Sequence, residues 1–220
     1  PLSEQLKLML RPAGGGVYVV STGLKEQREL QRQIYRAEHE QDIIKAWHQT
    51  IDHALDYQSV GSGNRVILLG VPSDTGAGFT RGANLAPAAI RAYLMRDQPQ
   101  HPLIGSASLD IGDVRVVPQL LSDEMLSDNQ IQATQKVLYG NDQMSSKLPV
   151  SPLDICHLTL SQFAQEERKY ALTPIVIGGD HSVGWPAFKA AFERWESSGK
   201  AKLGLLHFDA HTDLLSERLG

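Results

Sequence analysis

Residues 203–215 read LGLLHFDAHTDLL, an apolar run that breaks into Asp209, His211 and Asp213. In an extended chain, residues at i, i+2 and i+4 point to the same side, so two carboxylates and an imidazole project together. Crowded in a low-dielectric setting, such groups repel and shift their protonation unless a positive charge sits among them. A divalent cation makes the cluster favourable. A second polar cluster, GGDHS at 178–182, adds His181, and its two glycines allow a tight turn and a close backbone approach. Carboxylate and imidazole donors without thiolate point to a borderline-hard ion, Mn²⁺ first, with Fe²⁺, Co²⁺ or Zn²⁺ as alternatives. Either cluster alone is a modest signal. Their weight comes from both falling directly after apolar runs.

Those runs are the elements that must position the donors. RVILLGV (65–71), TPIVIGGD (173–180) and KLGLLHF (202–208) are bounded by glycine or proline, as expected of strands buried on both faces. LDIGDV (109–114) is a shorter strand candidate. PAAIRAYLMR (87–96) reads as a helix with proline in its first turn, and VGWPAFKAAFERWES (183–197) as another. Ser151, Pro152 and Asp154 open a further helix that runs to about Ala171. Strands alternating with helices predict an α/β fold, three-layer αβα on a mainly parallel sheet. In such sheets ligands collect beyond the carboxyl ends of the strands, where both clusters lie.

Residues 1–60 read as an N-terminal helical extension and 61–220 as the α/β domain, with SVGSGN (59–64) as the linker. Gly14 to Gly16 lack the Gly-Lys-Ser/Thr sequel of a phosphate cradle and read as a turn before a short strand, Val17–Val20. From Leu24 to Tyr57 apolar residues recur at helical steps, as one helix or as two with a break near Glu40. Residues 115–150 are mostly polar and read as a long surface insertion with a helix near Asp128–Leu138.

Composition narrows the function. The chain has 220 residues, a formal charge of −4, and 41% hydrophobic against 21% charged residues. No basic block favours nucleic acid or an anionic membrane, and no apolar run approaches the ~20 residues needed to cross a bilayer. A cytoplasmic protein is the expectation. The single cysteine, Cys156, excludes an internal disulfide or a multi-thiolate zinc site and reads as a small core residue. His39, His48 and His53 share no helix face, and His157 reads as structural. Ser182 beside His181 suits a helix start better than a nucleophile. Asp180 has two readings of equal standing, helix capping or orientation of a ligating imidazole. Asp74 and Arg81 fit local turn stabilisation better than substrate contact, while Asp110 and Asp113 buttress a turn. His207 can face the same side as Asp209 and reads as a supporting or packing residue. Trp185 and Trp195 read as core contacts.

GGDHS (178–182) and DAHTD (209–213) resemble two signature motifs of the ureohydrolase family, which includes arginases, agmatinases and formiminoglutamases. GVPSDTGAGFTRGANLAPAAIR (70–91) resembles that family's glycine-rich stretch, and DIGDV (110–114) another recurring segment. The resemblance covers about residues 65–220 and implies an arginase-like fold. It implies a dinuclear manganese hydrolase of linear amidines, releasing urea or a related amide from a small guanidino or formimino substrate. Carried over by motif, His181 and Asp213 bind one ion, His211 the other, and Asp209 bridges them. Water activated by the cations is then the nucleophile, and no protein side chain serves as one. The family's later Asp-x-Asp segment and its proton-shuttling histidine have no counterpart within the 220 residues. The expectation is therefore an N-terminal fragment, inactive alone, of a longer enzyme for which a homo-oligomer is an option. The competing expectation is a noncatalytic binding or structural module with a vestigial metal site.

Overall fold

The computed structural model describes residues 2–14, 24–56, 65–105, 108–141, 144–163, 172–199 and 202–211. The chain opens with helix α1 (Leu2–Met9) and a two-residue strand, β1 (Leu10–Arg11). Helices α2 (Leu24–Tyr35) and α3 (Ile43–Leu55) follow, with the expected break near Glu40. Then come β2 (Arg65–Val71), α4 (Ala86–Asp97), β3 (Ser108–Val114) and α5 (Asp128–Tyr139). The described elements end with α6 (Pro152–Phe163), β4 (Leu172–Gly178) and α7 (Gly184–Ser197).

The strands form one sheet in the order β1-β3-β2-β4, parallel except for β1, which runs antiparallel to β3. The apolar run of β2 places it in the middle. Ile67, Leu69 and Val71 point into one buried cluster with Ile155, Cys156 and Leu160 of α6. Leu68 alternates to the other face and is buried outside that cluster. The same face holds Gly70, where a side chain would collide with the Asp113 carboxylate and with Arg91 of α4. Helices thus flank both faces of a mainly parallel sheet, as the alternation of elements predicts.

Helices α1 and α3 pack on this sheet directly, since Leu6, Met9, Trp47 and Ile51 share the cluster with Ile111 and Val114. Register explains one of these contacts. Leu68 pairs with Asp110 and Leu69 with Gly112, so Ile111 is an extra residue bulged out of β3. Its carbonyl accepts a hydrogen bond from Trp47 Nε1 at 2.9 Å, which satisfies a group the ladder has released. Burial pushes the Cys156 thiol up to about 12, in keeping with a core residue. No described helix is long and apolar enough to cross a membrane.

Several expectations need correction. Residues 202–208 form no strand, and Leu206 and Phe208 are 86% and 95% exposed. An apolar run specifies a buried strand only when a neighbouring strand receives it, and the described residues pair nothing with this segment or with the outer edge of β4. Residues 115–150 are not a surface insertion, because Leu120, Tyr139, Leu148 and Val150 enter the main core. Asp123 draws the connection in by accepting the backbone N–H groups of Val150 and Ser151. Trp185 is 61% exposed rather than a core contact. The helix α1 was unforeseen, although Leu2, Leu6 and Met9 carry helical spacing. The strand expected at 17–20, the continuation of α6 to Ala171, and Asp213 all lie outside the described residues.

Candidate metal centre

β2 and β4 are parallel neighbours, so the loops after Val71 and Gly178 leave the sheet side by side. They are fastened together. Asp180 donates its backbone N–H to the Ser73 carbonyl at 3.1 Å, and Gly179 passes so close that an added Cβ would lie 1.9 Å from that carbonyl oxygen. Only glycine permits this approach. The Asp180 carboxylate then works in two directions. Oδ2 accepts the Gly76 N–H at 2.7 Å, while Oδ1 caps the turn His181–Val183 by accepting the Ser182 N–H at 2.9 Å and the Ser182 hydroxyl. The capping reading of Asp180 holds for the short turn ahead of α7, and that turn carries His181. Ser182, committed to this cap, is the helix-start serine expected.

Asp209 lies beside that turn. His181 Nδ1 is 3.0 Å from Asp209 Oδ2, and His207 Nε2 approaches the same oxygen at 3.6 Å. The two rings stand edge to face with centroids 5.3 Å apart. The other oxygen, Oδ1, accepts the His211 backbone N–H at 2.9 Å and lies 3.3 Å from His211 Nδ1. That backbone N–H holds the Asp209 carboxyl below the usual carboxylate range, overcoming a desolvation cost, with the imidazoles of His181, His211 and His207 acting the same way. The carboxylate is therefore a ready anion with a different imidazole environment at each oxygen.

Three of the predicted metal residues, His181, Asp209 and His211, are thus brought together. The structure adds His207, whose one usable signal is its two-residue offset from Asp209 in an extended chain. Ligand atoms of His181, His207 and Asp209 all fall within 4.8 Å of one another. Two imidazoles and a carboxylate, open to solvent and without thiolate, fit a divalent cation of borderline hardness. In the glycine-rich loop, Asp74 pairs with Arg81 at 2.9 Å and accepts the Gly82 N–H at 2.7 Å, the local turn stabilisation expected. His157 is structural as expected, joining α6 to α7 through Glu193 at 2.7 Å.

Comparison with known proteins follows the same residues. The sequence profile of the arginase family matches residues 64–219, which contain both clusters. The chain belongs to the arginase family. It is 26% identical over 150 residues to an arginase of Bacillus subtilis, covering 68% of this chain and 41% of that protein. It is 28% identical over 172 residues to a mitochondrial agmatinase of Gallus gallus, covering 76% of this chain and 40% of the relative. A formimidoylglutamase of Halalkalibacterium halodurans is 39% identical over 56 residues, 26% of this chain and 15% of its own. The arginase-family chain therefore spans about 40% of the length of curated arginase and agmatinase relatives it matches. No solved structure gives a significant match.

Proposed function

We propose that this chain supplies metal-binding residues of a hydrolase centre that cleaves a linear amidine, a guanidino or formimino compound, at a C–N bond to release urea or a related amide. The observation that carries the reading is Asp209, whose oxygens face His181 and His207 on one side and His211 on the other. A carboxylate so placed is disposed to bridge two cations. His181 and Asp213 would hold one Mn²⁺ and His211 the second, with Asp213 assigned by motif alone. Bound there, the cations would acidify a shared water and neutralise negative charge as the amidine carbon becomes tetrahedral.

The chain's own residues hold the pieces in register. The Asp180 cap and the Gly179 contact fix the turn that presents His181. The His211 N–H orients Asp209 and helps hold its carboxyl below the usual carboxylate range. Relatives named as arginase, agmatinase and formimidoylglutamase support the guanidino or formimino class without choosing within it. The test is a panel of arginine, agmatine, formiminoglutamate and other guanidino acids incubated with the Mn²⁺-loaded polypeptide that carries residues 1–220. Urea or formamide release from at least one compound, lost in Asp209→Asn, is the expected result. No release from any of them overturns the reading.

A further inference from the structure

We propose that His207 is itself a cation ligand, completing with His181 and Asp209 a two-imidazole, one-carboxylate set on the Oδ2 side of Asp209. This rests on the metal-centre reading above and adds a donor that neither signature motif contains.

Three observations carry it. First, the faces of Asp209 are divided: Oδ1 is engaged by the His211 backbone and ring, so the space at Oδ2 is bounded by His181 at 3.0 Å and His207 at 3.6 Å. Second, 3.6 Å is too long for a hydrogen bond, so the His207 ring faces the carboxylate without being tied to it. A shared ion closes such a gap. These separations leave room for one ion held about 2.0–2.2 Å from each donor with only small side-chain shifts. Third, a packing role fits poorly, because the His207 side chain is 39% exposed on a segment that joins no sheet. The two-residue offset is enough to bring His207 Nε2 and Asp209 Oδ2 to one side of that segment. The chain can then hold one ion with donors from two loops.

The test is a Co²⁺ titration of the 220-residue chain followed by visible absorption, in the wild type and in H207A, H181A and D209N, with circular dichroism to confirm folding. H207A is expected to weaken the first Co²⁺ at least about tenfold and to alter the absorption envelope, as H181A and D209N do. If H207A binds within about twofold of wild type while H181A and D209N are weakened, the ligand role of His207 is overturned and the metal centre stands. Unchanged binding in all three variants, or none by the wild type, overturns both for this chain. Should H207A fail to fold, the wild type answers alone by ¹⁵N spectroscopy of its imidazoles. On Zn²⁺ loading a ring nitrogen of His207 is expected to shift together with one of His181, and a stationary His207 resonance overturns the proposal.

Discussion

Carboxylates meet nitrogen-bearing side chains in two regions of this molecule under opposite conditions. Between α4 and the sheet, Asp110 and Asp113 close on Arg91, a side chain 1% exposed. Arg91 Nε and Nη2 donate to the two oxygens of Asp110 at 2.7 and 2.9 Å, Nη1 donates to Asp113, and Nη2 also reaches the Gly112 carbonyl at 3.2 Å. Burial alone would lower the guanidinium's pKa, but Asp110 and Asp113 more than offset that and raise it. At the loop ends, the side-chain partners of Asp209 among the described residues are imidazoles, beside one backbone N–H, and the group sits at the solvent edge. A permanent internal cation lets charge be buried and used to fix the fold. Where no permanent cation is supplied by a neighbouring side chain, the carboxylate stays near water.

The contrast can be broken most severely at Arg91. Arg91→Met leaves Asp110 and Asp113 buried without their cation, and urea denaturation is expected to show a loss of about 3–5 kcal/mol. A loss below about 1 kcal/mol would mean that the buried cluster is no more constrained than the exposed one. Next comes Gly179→Ala, whose methyl group meets the Ser73 carbonyl. It is expected to cost about 2 kcal/mol and also to weaken cation binding, since the displaced turn carries His181. The smallest effect on the fold belongs to Asp209→Asn. Without metal its melting temperature should match wild type, whereas added Mn²⁺ should raise the midpoint of the wild type only.

What could be read from the sequence divides along similar lines. β2, β4, α4 and α7 were legible because apolar runs, a proline in a first turn and glycine breaks are local signals. His181, Asp209 and His211 were legible as a group because each follows an apolar run at a sheet-like spacing. Arg91 was not. It sits four residues after Pro87 and three before Leu94 on the buried face of α4, and nothing local says that the guanidinium meets two carboxylates of β3. Asp113 buttresses a turn as expected, by accepting the Gly14 N–H at 2.9 Å, but Asp110 and Asp113 also anchor that helix to the sheet. The run at 202–208 misled for the complementary reason: its composition is that of a core strand, but its burial depends on a neighbour that residue types cannot reveal.

The strap across the two loops also limits how the chain can vary. Because Asp180 grips Gly76 with one oxygen and its own turn with the other, extra residues inserted before Gly76 would drag the imidazole at 181 out of place. Beyond that anchor the constraint lifts. Gly78 has open space around it and Phe79 points wholly into solvent, so the apex of the loop is where length and side chains can diversify while the donors stay put.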